Sequence, residues 1–120
     1  MLHDFFLANK NEFTDPGKEF NKLYDENKEN KNIIYIHDEV VLNNPLFLKG
    51  FKSFKCSFKN LSEGLDYYGI TILPTESLES FIKNLEQVKC KPKYKQQLKD
   101  LIELCRKAIK EDEYVIHFGI

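Results

Sequence analysis

Residues 67–85 read YYGITILPTESLESFIKNL, and the fold class turns on them. Tyr67–Leu73 is rich in β-branched and aromatic residues and predicts a strand. Pro74-Thr75 stops it. Thr75 is placed to cap a helix, and Glu76 and Glu79 lie near that helix's positive end. Leu78, Phe81, Ile82, Leu85 and Val88 then repeat at helical spacing. After Pro92 a longer stripe follows: Tyr94, Leu98, Leu101, Ile102, Cys105, Ala108 and Ile109. Tyr114–Ile120 (YVIHFGI) returns as a strand too apolar to be left as a free edge, so pairing inside a sheet is expected, in either orientation.

Upstream of this stretch, Leu2, Phe5 and Phe6 stand at helical spacing and predict a short helix over 2–9. Thr14-Asp15-Pro16 reads as a second helix start, with Phe20, Leu23 and Tyr24 as its stripe. Asn32–His37 (NIIYIH) predicts a buried strand, Val40–Leu42 a short extended piece, and Asn43-Asn44-Pro45 a turn. Phe54, Cys56 and Phe58 alternate with Lys55, Ser57 and Lys59, the pattern of a half-buried strand with a basic outer face. Leu61–Gly64 reads as a turn. Helices, then strands, then helices and a last strand is not a βαβ alternation. The expectation is an α+β fold: a single globular domain over residues 1–120, with a small, mainly antiparallel sheet and helices packed on one side.

At 120 residues the chain suffices for one core. With 42% apolar and 31% charged residues it is too hydrophobic for disorder, and no apolar run approaches a membrane span. The start, MLHDFFLANK, lacks a basic region before its apolar stretch and a small-residue cleavage site, so no signal peptide is expected and a cytoplasmic location fits. Three cysteines at wide spacings fit free thiols better than disulfides or zinc. Cys56 and Cys105 are assigned to the core, and the Lys89-Cys90-Lys91 context gives Cys90 no partnered base.

Eighteen bases against nineteen acids argue against a general nucleic-acid binder, but the charge is arranged in blocks. Residues 49–60 hold four lysines and no acid, and 89–110 hold eight bases and two acids. A lysine strip interleaved with Phe51, Phe54 and Phe58 could serve as a stacking platform for single strands, but alternation turns the rings to the opposite face. The acids cluster at Asp38-Glu39, after the predicted strand, and at Glu111-Asp112-Glu113, before the last one. Were those two strands neighbours, Asp38, Glu39, Glu111, Asp112 and Glu113 would form one acidic rim suited to a basic protein partner such as a nuclease; as loop charges they would serve only solubility. Tyr24, Tyr35 and Tyr68 are candidate aromatic anchors, and each could equally be core.

For chemistry, the candidates are His3, His37 and His117. His37 and His117 fall at predicted strand ends, so a metal-independent ribonuclease using both is conceivable; His3 is expected to be exposed near the terminus. No histidine stands in a metal-ligand motif, and no glycine-rich phosphate loop or serine-hydrolase elbow is present. No enzyme, cofactor or small-molecule substrate is therefore expected.

At Tyr67–Leu85 and at the terminal Ile116-His117-Phe118-Gly119-Ile120, the chain resembles the small immunity proteins of bacterial polymorphic-toxin and contact-dependent growth-inhibition systems. In those, a Gly-Ile-Thr strand runs into a Pro-Ser/Thr helix cap and a short apolar strand ends the protein. The resemblance implies a cytoplasmic inhibitor that binds the C-terminal domain of a cognate toxin and occludes it stoichiometrically, with no nucleic acid or membrane as partner. A ribonuclease and a small protein-binding adaptor are the alternatives.

Overall fold

A computed structural model describes residues 1–10, 22, 24–26, 28, 32–56 and 58–119. The strands are β1 (Leu2–Ala8), β2 (Ile34–His37), β3 (Lys52–Lys55), β4 (Leu61–Glu63), β5 (Ile70–Leu73) and β6 (Tyr114–Phe118). The helices with defined bounds are α1 (Asp38–Leu42), α2 (Leu78–Glu86) and α3 (Lys95–Glu111). The strands form one sheet in the order β2-β1-β6-β5-β3-β4, with every neighbouring pair antiparallel. This is the expected α+β class. The last strand sits centrally, flanked by β1 and β5.

Several expectations are corrected. The N-terminal segment is a strand, not a helix. Phe5 and Phe6 are both fully buried because consecutive side chains point to opposite faces, and both faces of β1 are covered. Val40–Leu42 belongs to a helix: the His37 ring accepts the Glu39 N–H at its start, Asp38 and Glu39 occupy its first turn, and Val40 and Val41 face the core. Leu61–Glu63 is an edge strand rather than a turn. The alternating segment is also shorter than expected. β3 ends at Lys55, and Cys56 is exposed with φ of 64°, so it lies outside the core. The Thr14–Pro16 helix start, with Phe20 and Leu23, lies outside the described residues; Tyr24 has helical backbone.

One sheet face carries Phe5, Ile36, Leu73 and Val115 and is covered by α1, α2 and α3 through Val41, Leu78, Phe81, Leu85, Leu101 and Cys105. Burial pushes the Cys105 thiol pKa up, in keeping with an inert core role. The opposite face holds a smaller cluster of Phe6, Ala8, Ile33, Ile72 and Ile116, against which Tyr24 and Phe54 pack. Thr75 does not cap α2; its hydroxyl donates to the Glu113 carbonyl at 3.0 Å, tying the start of α2 to the start of β6.

Gly64 closes the β4 edge against the 47–51 loop. Its N–H donates to Phe51 O and the Leu65 N–H to Phe47 O, each at 3.0 Å. Its φ is +69°, and a Cβ there would lie 2.0 Å from the Leu48 carbonyl oxygen. Gly64→Ala is expected to cost on the order of 4 kcal/mol, read as a lower midpoint in urea unfolding; an unchanged midpoint would mean that this loop is not pinned.

Candidate functional site

β1 runs antiparallel to both β2 and β6, pairing Leu2 with His37, Asp4 with Phe118, and Ala8 with Tyr114. β2 and β6 therefore point the same way. Asp38 follows the end of β2, whereas Glu111–Glu113 precede the start of β6, so the two acidic clusters stand at opposite ends of the sheet and form no common rim. Asp112 is paired with Lys10 at 2.6 Å. Glu39 is paired with Lys91 at 2.7 Å and accepts the Tyr94 hydroxyl at 3.1 Å. Both contacts hold these carboxyls below their ordinary pKa.

Asp38 is turned inward, onto a buried polar network. Its Oδ1 accepts from His3 Nε2 at 3.0 Å and from the Tyr67 hydroxyl. His3 Nδ1 lies 2.9 Å from His117 Nε2, and His117 Nδ1 lies 3.3 Å from Thr71 Oγ1, which also accepts the Asp66 N–H at 2.8 Å. One direction of donation satisfies every atom. Thr71 O–H donates to His117 Nδ1, His117 Nε2–H to His3 Nδ1, and His3 Nε2–H and Tyr67 O–H to Asp38. Among the described residues no buried side-chain nitrogen or oxygen lacks a partner.

The alternation that carries His3 onto the Phe5 face thus buries it, contrary to the expected exposed position. The proposed pairing of His37 with His117 is not formed. His117 is committed to His3 and Thr71, while His37 stacks on Tyr94 with ring centroids 4.8 Å apart and caps α1. Both His3 and His117 have zero solvent exposure. Among the described residues no group of three or more histidine, cysteine or acidic side chains is placed to hold a metal. Cys90 lines a groove of about 350 Å³ with Glu39, Asn44, Lys91 and Tyr94.

Burial, then the neighbouring His3 ring, holds His117 well below the ordinary histidine value of 6.5. The unfolded chain takes up a proton at this side chain near pH 6.5 and the folded chain does not, so the unfolded state binds more protons below that pH. The contribution is complete above this value and is lost as pH falls, at about 1.4 kcal/mol per pH unit until the folded protein also protonates. Urea midpoints at pH 7.5, 6.5 and 5.5 should show this decline, and His117→Asn should flatten it; a midpoint independent of pH across this range would contradict it.

The network ends at a surface. Desolvation raises the Asp38 carboxyl, but the Tyr67 hydroxyl and His3 ring outweigh it and leave the pKa below the ordinary carboxylate value. The same bond to Asp38 pushes the Tyr67 hydroxyl up to about 12. Tyr67 packs edge-on against Tyr68, centroids 4.8 Å apart, and Tyr68 is 77% exposed. The Tyr68 N–H donates to the half-buried Asp66 carboxylate at 3.2 Å, and the Asp38 N–H bonds Met1 O at 3.0 Å. Met1 and Leu2 are also exposed at this end of the sheet. This end of the sheet presents the exposed Tyr68, the apolar Met1 and Leu2 and the Asp66 carboxylate. Of the candidate anchors, Tyr68 projects from it, Tyr35 is 38% exposed on the β2 edge, and Tyr24 is spent in the smaller cluster.

No family model and no curated protein matches the chain. Among solved structures it is similar to the Neisseria DNA mimic protein DMP12, with a TM-score of 0.59 at 15% identity, covering 98% of this chain and 99% of that one. The likeness extends over the whole fold and is one of architecture. No described helix is long and apolar enough to cross a membrane.

Proposed function

We propose that the protein is an immunity protein: it binds the C-terminal domain of a cognate toxin, a nuclease, and neutralises it by stoichiometric occlusion. The observation that carries this reading is the exposed Tyr68, packed edge-on against Tyr67, whose hydroxyl is bonded to Asp38, at the sheet end where Met1, Leu2 and the Asp66 carboxylate also lie. An exposed tyrosine backed by a second, hydrogen-bonded ring and accompanied by apolar and acidic groups is the composition of a binding hot spot.

The architecture shared with a protein described as a DNA mimic supports a partner whose own surface is built for phosphate. The near-neutral total charge makes any such mimicry local rather than a property of the whole surface. Asp38 acts as a positioning residue, since its carboxylate is spent on His3 and Tyr67. Glu39, bridged to Lys91, lies at the rim of the same end. The commitment of His37 and His117 to separate contacts weighs against the ribonuclease alternative.

Titration calorimetry against the toxin C-terminal domain encoded immediately upstream tests the reading. One-to-one binding at nanomolar affinity or tighter is expected, and no detectable heat would overturn it.

A further inference from the structure

We infer that the outer edge of β2 accepts an extended segment of a partner protein as an added strand, and that the segment carries an apolar residue followed two positions later by a lysine or arginine. This goes beyond the proposed function and holds whichever protein is neutralised.

β2 is the terminal strand of the sheet, and no strand among the described residues pairs with its far side. The bond from Asp38 N–H to Met1 O sets the phase of the β1–β2 ladder. Stepping by two, His3 with Ile36 and Phe5 with Ile34 exchange bonds, whereas His37 and Tyr35, opposite Leu2 and Asp4, turn their backbone N–H and C=O groups away from β1. The molecule itself uses one of these outward groups: the His37 N–H donates to Gln97 Oε1 at 2.9 Å. Tyr35 is next along this edge.

Beside it, between β2 and α3, runs a groove of about 230 Å³ lined by Ile34, Leu104, Asp100, Glu103 and Lys107. A strand added about 4.8 Å from β2 would send alternate side chains into this groove, spaced roughly 6.8 Å apart. An apolar one meets Ile34 and Leu104. The next reaches Asp100 and Glu103, and Glu103 is exposed; Lys107 disfavours a base near its own position and so sets the polarity.

The probe is the blocked heptapeptide Thr-Thr-Val-Thr-Lys-Thr-Thr, titrated into the isotope-labelled full chain while amide shifts are followed. Saturable shifts at Ile34, Tyr35 and Leu104 are expected. Tyr35→Pro removes an outward N–H without touching the bonds to β1, and should weaken binding at least tenfold. Glu103→Lys, an exposed change that leaves the edge intact, should weaken it to a similar degree, as should replacing the peptide's lysine by glutamate. No shifts at millimolar peptide, shifts at Leu61–Glu63 of the opposite edge instead, or equal binding by Glu103→Lys would overturn the inference.

Discussion

Tyr68→Ala is expected to lower affinity for the toxin domain at least a hundredfold while leaving the unfolding midpoint unchanged. The side chain is 77% exposed and touches the fold mainly through the edge of Tyr67, so its removal should alter stability by no more than about 0.5 kcal/mol. In a complex the same ring would be buried at the centre of the contact, where truncation of a tyrosine typically costs about 2–4 kcal/mol. Tyr68→Phe keeps the ring and its packing and should retain most of the affinity. Calorimetry on the three proteins reads the first effect and urea melts the second. Full affinity in Tyr68→Ala would move the binding face elsewhere.

His3→Leu should destabilise the fold by about 3 kcal/mol. The substitution strands the His117 ring in the interior without its partner and withdraws one donor from the Asp38 carboxylate. The cost arises from unpaired polar groups rather than from lost volume, which distinguishes this site from the aromatic core around Phe81. His3→Leu combined with His117→Leu should therefore recover part of the loss, giving a coupling of at least about 1 kcal/mol in a double-mutant cycle. Strictly additive losses would show that the two rings are not interacting. His3→Leu should also weaken toxin binding less than Tyr68→Ala does, because Tyr67 keeps Asp38 as its acceptor.

Where one face of an element alone meets the core, the sequence period reports it, and α2 and α3 were legible in that way; β2 and β5 were legible from their β-branched and aromatic composition, β5 being buried on both faces through Ile72 and Leu73. β1 was not. Burial on both faces places Phe5 and Phe6 side by side, which erases alternation, and Leu2, Phe5 and Phe6 then imitate a helical stripe. Val40-Val41 suggested extension by propensity, yet Asp38 and Glu39 in the first turn and the His37 ring as cap decide for a helix. That signal was present in the residues themselves.

The site was far less legible. His3 and His117 are separated by 114 positions, and no spacing encodes that they meet. They meet because β1 pairs Phe5 with His117, and His3 and His117 then stand on the same sheet face. The acidic rim failed on the same geometry: β1 intervenes between β2 and β6, so the segment after one and the segment before the other lie a sheet's length apart.

The account stands most directly on inhibition of the toxin by this protein. The purified toxin domain, assayed on nucleic acid with increasing amounts of the full chain, should lose activity in proportion and reach zero at one equivalent, and Tyr68→Ala should fail to inhibit at that ratio. Toxin activity undiminished at tenfold excess, or cleavage of nucleic acid by this protein alone, would contradict it.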